Sequence, residues 1–223
     1  MGSCVSKQAP PDGSEKSFPD QSRTNSNIGG VHSSVPRISS LVMDALPVDV
    51  RSSLERLPAD SFKNKYAPLN VIGTIAKSEV AASFLDHWVS SKKLASLTNR
   101  EQELIILRQA VHYRSNYVWK HHVIIGSEFG ITGTEIEALQ QIPFKSPESF
   151  SDRDTGLIAF TDDFTMKRTV SNETWQQYSS FFKEGEIIEI ILVVSHYVFF
   201  SLTNNSLCVE IEPALDDLPG LPQ

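Results

Sequence analysis

The sequence predicts an all-α fold, and three observations predict it. Apolar residues recur three and four apart in one segment after another, which is the period of an amphipathic helix. Hydroxyl residues stand three positions ahead of acidic ones where two of those segments begin, the mark of a helix cap. No stretch of useful length alternates apolar and polar residues as a half-buried strand would. The 223 residues, 40% of them hydrophobic, suffice for one helical domain and a tail.

The helical pattern starts after Pro36. Val48–Leu57 is a short amphipathic segment stopped by Pro58, which lacks the N–H a helix interior needs. Pro68 precedes a second short helix, Leu69–Ala76. Glu79–Leu94 carries Val80, Phe84, Leu85, Trp88 and Val89 at helical spacing. Thr98 and Glu101 form a capping-box signature that starts helix 99–113. Ser115 or Asn116 opens the next helix, which ends near Gly130 as its C-cap glycine. Thr132 or Thr134 caps Glu135–Gln141, and Pro143 and Pro147 close this half. Ser151 begins helix 152–166, with Leu157, Phe160 and Phe164 on one face. Ser171 with Thr174 opens 172–182, and Gly185 precedes 186–204, the most apolar helix of the set. Its apolar run, 187–202, falls short of the roughly 20 residues of a membrane span and is broken by Glu189, Ser195 and His196, so it reads as a buried helix.

Residues 1–36 are rich in Ser, Pro, Gly, Asn and Gln. Such a segment buries too little apolar surface to offset its ordering entropy, so a disordered N-terminal tail is expected. The helical domain is expected over 37–212, with a C-terminal tail over 213–223. The first residues, Met-Gly-Ser-Cys-Val-Ser-Lys, match the N-myristoylation pattern. Gly2 would carry the acyl chain once Met1 is removed, and Cys4 is placed for palmitate. A single myristoyl chain binds a membrane only marginally, so both lipids would be needed to hold the chain at a membrane surface.

The net charge of −7 argues against a nucleic-acid partner. Cys4 and Cys208 lie at opposite ends of the chain, so neither a structural disulfide nor dithiol chemistry is expected. No secretory apolar segment opens the sequence, and a cytoplasmic location is expected, with membrane association through the acylated tail.

The chemistry is concentrated in Leu97–Leu139. Glu103 falls one turn before Leu107, inside the apolar run of Leu104, Ile105, Ile106, Leu107, Ala110 and Val111. A buried carboxylate has to be paired or raised in pKa. Ser115, Val118 and His122 form one stripe on the following helix, spaced three and then four. Two adjacent antiparallel helices would bring Glu103 and His122 within hydrogen-bond reach. A carboxylate orients an imidazole and raises its basicity, as a general acid–base requires. No three ligands stand at regular metal-site spacing, so no metal is expected.

This spacing resembles the carboxymuconolactone decarboxylase / alkylhydroperoxidase-D-like family. Its peroxidase branch has Glu, eleven residues, Cys-x-x-Cys, three residues, His. Here those positions are Glu103, Ser115, Val118 and His122. Further landmarks look similar: Pro36-Arg37-Ile38, Leu97 to Glu103, Val170 to Trp175 and Ile188 to Tyr197, so that the resemblance spans about residues 36–212. It implies an alkylhydroperoxidase-D-like helical bundle that forms homo-oligomers, trimers or hexamers.

Both sulfur positions are lost. A hydroxyl and an isopropyl group cannot attack a peroxide and resolve the product as a disulfide. Peroxiredoxin- or alkylhydroperoxidase-type activity is therefore disfavoured. The resemblance points instead to the decarboxylase branch, with cofactor-free acid–base catalysis on a small organic acid or lactone. In that reading His122 is the acid–base residue and Glu103 orients it. Arg108, Ser115, Val118, Trp119 and His196 are expected to contact the substrate. Tyr117 and His121 are further pocket candidates, although His112 and His121 read first as surface or interface groups. A carboxylate clamp would fall to Arg108 or Arg114. The alternative is a non-catalytic binding or scaffold member tethered to a membrane.

Overall fold

The computed structural model describes residues 35–55, 69–91 and 95–222. Gly2, Cys4 and the expected lipidation signal lie outside the described residues, as do the expected helix ends at 56–57 and 92–94.

The described residues form nine α-helices and no strand. They are α1 (Val48–Glu55), α2 (Asn70–Ile75), α3 (Glu79–Ser91), α4 (Asn99–His112), α5 (Asn116–Glu128), α6 (Gly133–Leu139), α7 (Asp152–Asp162), α8 (Asn172–Tyr178) and α9 (Glu184–Leu207). The central element is α4, in which every residue from Glu101 to Val111 is buried. Helices α5, α6, α7 and α9 pack around it, and α1 packs on α3.

Three caps do two jobs each. Thr98 and Glu101, Thr132 and Glu135, and Ser151 and Asp154 form capping boxes at the starts of α4, α6 and α7. Each capping carboxylate also holds an arginine from another helix. Arg153 Nε lies 2.6 Å from Glu101. Arg100 reaches Glu135 at 2.7 Å and Asp154 at 2.9 Å. Arg153 continues to Glu186 at 2.9 Å, which ties in the start of α9.

Helix α5 ends in a Schellman turn at Gly130, whose φ is +86°. The Ile131 and Gly130 N–H groups donate to the carbonyls of Gly126 and Ser127. The segment expected as one helix over 152–166 is α7 followed by a wider π-helical turn, Asp163–Lys167, which ends at Arg168 with φ +60°. Asp163 explains the stop. Its carboxylate accepts the Ser171 N–H at 2.8 Å and the Ser171 hydroxyl at 2.7 Å, and pairs with Lys167 at 2.8 Å.

Helix α9 is long and apolar enough to cross a membrane by length and composition alone. One face of it is buried against α2, α4, α5 and α7, while Ile188, Ile191, Leu192 and Leu202 are exposed on the other. Residues expected as a C-terminal tail fold along α5. Lys120 Nζ donates to the carbonyls of Leu215 and Asp216, Leu215 is buried, and the Leu221 N–H donates to Asn116 at 2.7 Å.

Candidate active site

Glu103 and His122 meet. His122 Nδ1 lies 2.5 Å from Glu103 Oε2, and both side chains are buried. Gly126 makes the approach possible. A Cβ there would sit 3.1 Å from Ile131 Cδ1 and 3.3 Å from Leu107 Cδ1, tighter than ordinary packing. Gly126 is one turn beyond His122 on the same face of α5, so the close approach of the backbones carries His122 to Glu103.

His122 lines an apolar cavity enclosed by α1, α2, α3, α5 and α9. Val50, Leu54, Ile72, Leu85, Trp88 and Phe200 supply most of its wall. Among the described residues no lysine or arginine lines it.

A second histidine–carboxylate pair stands beside the first. His121 Nδ1 lies 2.7 Å from the Tyr117 carbonyl, and Nε2 lies 2.6 Å from Glu212 Oε2. Both ring nitrogens of His121 are thus engaged within the fold. Glu212 also accepts the Tyr117 hydroxyl at 2.7 Å and the Asn70 N–H at 2.7 Å. Burial alone would raise the Glu212 carboxyl, but His121, Asn70 and Tyr117 outweigh it and hold it below its ordinary value. The ring of Tyr117 stacks on His121 at 4.3 Å.

Two tyrosines flank the cavity, Tyr117 and Tyr197. Burial, and then the nearby charge of Glu212, pushes Tyr117 well above the usual phenol range. Burial and the charge of Glu103 do the same for Tyr197. Both stay protonated at neutral pH. The Tyr197 ring stands edge-on to His122, 4.9 Å between centroids at 90°.

The expected substrate contacts divide. Val118 lines the cavity, as do Tyr117 and His121. Ser115 is fully buried at the N-cap of α5 and is not part of the lining. Trp119 is buried away from it. His196 stacks on Phe84 at 4.8 Å and bonds the Leu192 carbonyl, also outside the lining.

Arg108 requires a correction. It is buried, but its guanidinium binds Asp162 with Nε at 2.5 Å and Nη2 at 2.9 Å, and donates to the Leu139 and Gln141 carbonyls. Its donors are spent on the scaffold. Arg114, in the turn between α4 and α5 with φ +50°, is exposed. Neither arginine offers the cavity a clamp. His112 and His121 also depart from the surface reading. The first packs its Nε2 at 2.6 Å on Asp162, and the second is buried by Tyr117 and Glu212.

Sequence reasoning missed Glu212, Tyr197 and Asn204. Glu212 lies 91 residues beyond His121 and at the edge of the expected domain, so nothing local announced it. The helical period of α9 did hold a signal, since Tyr197 and Asn204 are seven apart on its buried face. Cys208, the one cysteine among the described residues, stands at the C-cap of α9 and does not line the cavity. No group of metal-binding side chains occurs among the described residues.

No family model and no curated protein matches the chain. Solved structures do. A protein of unknown function from Agrobacterium tumefaciens, described with the antioxidant defence protein AhpD, shares 14% identity over 61% of this chain and 93% of its own, with a TM-score of 0.55. The debrominase Bmp8 shares 14% over 79% of this chain and 92% of its own, with a TM-score of 0.61. An uncharacterized peroxidase-related protein from Silicibacter sp. TM1040 shares 13% over 85% of this chain and 95% of its own, with a TM-score of 0.62. At these identities the likeness is one of fold, and the chain has the all-α AhpD-like fold.

Proposed function

We propose that this protein is a cofactor-free acid–base enzyme that moves a proton within a small lactone or related metabolite with an apolar body. The observation that carries the reading is the buried Glu103–His122 pair at the wall of an apolar cavity. With Nδ1 held by Glu103, His122 exchanges a proton with the substrate through Nε2. The carboxylate stabilises the imidazolium that forms when His122 takes a proton from carbon, and the ring then returns it to another carbon or to oxygen. The apolar wall keeps water from that step.

Both sulfur positions of the peroxidase pattern are absent, which argues against thiol chemistry here. The described lining carries no lysine or arginine, which favours a neutral lactone over a free carboxylic acid, because a carboxylate would find no cationic partner among those residues. An apolar ring suits the same fold elsewhere: a Bmp8 C82A variant is seen in complex with 2,3,4-tribromopyrrole.

The test is turnover by purified protein of a neutral β,γ-unsaturated lactone, followed by double-bond migration, and of γ-carboxymuconolactone, followed by carbon dioxide release. The neutral lactone is expected to react. Loss of that activity in Glu103→Gln and His122→Ala, with folding intact, supports the reading. Full activity in His122→Ala overturns it. Binding without turnover in the wild type would make the protein a binding module.

A further inference from the structure

Helix α9 presents two polar side chains to this cavity whose polar atoms have no partner among the described residues. Tyr197 and Asn204 both line it, and each is more than nine-tenths buried. The Tyr197 hydroxyl and both polar atoms of the Asn204 amide make no hydrogen bond among the described residues. A buried polar group left in that state costs about 1–3 kcal/mol. A core built only for stability would carry Phe and Leu here.

The remaining polar lining is committed. The Tyr117 hydroxyl serves Glu212, and the Ser53 hydroxyl serves the Asp49 carbonyl. Tyr197 and Asn204 lie seven residues apart on one helical face, so their backbones are separated by about 10 Å along the axis. Phe200 lies between them and lines the same cavity. Tyr197 is at the reacting end, edge-on to His122. Its O–H is a donor that stays protonated beside Glu103. Asn204, with donors and an acceptor, is at the other end.

We propose that Tyr197 and Asn204 are the substrate-binding residues of this cavity, and that they take a neutral, ring-sized molecule with one polar group at each end. The inference rests on the acid–base reading of the same site. Tyr197 donates to the carbonyl or hydroxyl oxygen nearest His122. Asn204 anchors the opposite polar group, and the ring lies on Phe200. The two residues position the substrate, and His122 moves the proton.

The experiment uses the full chain and 4-hydroxybenzamide, a neutral ring with a polar group at each end, titrated by calorimetry. Toluene is the apolar control, followed by ligand-observed NMR. Wild-type protein is expected to bind both. Tyr197→Phe and Asn204→Leu should each weaken 4-hydroxybenzamide by about tenfold and leave toluene unchanged. Both variants should melt at or above the wild type, because each removes only polar atoms that have no partner among the described residues. Absence of 4-hydroxybenzamide binding, equal binding by all three proteins, or a fall in melting temperature in either variant overturns the proposal. Binding of 4-hydroxybenzamide should persist in Glu103→Gln. If His122→Ala keeps its turnover while the binding pattern holds, the acid–base reading fails and this one stands.

Discussion

Gly126 and His122 occupy successive turns of one face of α5, and the first makes room for the second. The missing side chain lets α5 lie against Leu107 of α4, and the histidine reaches Glu103 at 2.5 Å as a result.

Gly126→Ala is expected to be nearly neutral. Its Cβ meets the methyl ends of Ile131 and Leu107, which can give slightly, and the gain in helix propensity, up to about 1 kcal/mol, offsets the strain. Gly126→Leu should cost about 1–3 kcal/mol by overpacking. It should also part Glu103 from His122. Thermal unfolding reads the first effect. Loss of the low-field imidazole N–H resonance reads the second.

Arg108 supports the scaffold, and its variants should behave accordingly. Arg108→Ala leaves Asp162 with His112 alone and takes the donor from the buried Leu139 carbonyl and the part-buried Gln141 carbonyl, and it should cost about 3 kcal/mol in chemical denaturation. Small-molecule affinity should stay within twofold in any variant that folds. A large loss of affinity at full stability would restore the arginine to the site.

Asp163 gives a pH signature. Burial would raise its carboxyl, but Lys167 and the Ser171 N–H and hydroxyl pull it from 3.8 to about 2. A carboxylate lowered on folding adds stability that is complete above its unfolded value and lost as pH falls through the folded one. That contribution is about 2 kcal/mol at neutral pH. Asp163→Asn should therefore be destabilised by about that amount at pH 7, and the gap should narrow below pH 3.8 towards about 2. Denaturation at pH 7 and in acid checks the sign.

Glu212 frames the cavity from the far end of the chain. Glu212→Ala leaves Asn70, Tyr117 and His121 without their shared acceptor and should cost about 3 kcal/mol or more. Glu212→Gln should recover part of that loss. Because Glu212 is held below its ordinary pKa, its contribution is present at neutral pH and lost in acid. Removal of 210–223 should expose Tyr117 and His121, seen as faster amide exchange at Asn70 and Val71.

The parts legible in the sequence were those written locally. Thr98 with Glu101, Ser151 with Asp154, and Gly130 mark helix ends through hydrogen bonds that span a few residues, and the helices begin or end there. Glu103 and His122 were legible because a carboxylate within an apolar run needs a partner, and the next helix offered one. Arg108 misled because a lone arginine in a buried helix serves a substrate or a carboxylate equally well, and Asp162 lies 54 residues away. The same distance problem hid Glu212, whose role depends on a chain that turns back after α9. The helical run expected over 152–166 ends within a residue of that bound, and what stayed hidden is the π-helical turn over its last residues, where Asp163 reaches forward to Ser171.

The doubled role of Glu101, Glu135 and Asp154 bears on how this fold comes apart. Each carboxylate starts its own helix and grips an arginine from a neighbouring one, so helix initiation and helix docking share the same atoms. Removing one of them frays a helix end and loosens a tertiary contact in a single event. A cap and its seam are therefore expected to fail together, with α4, α6 and α7 losing their ends in one transition.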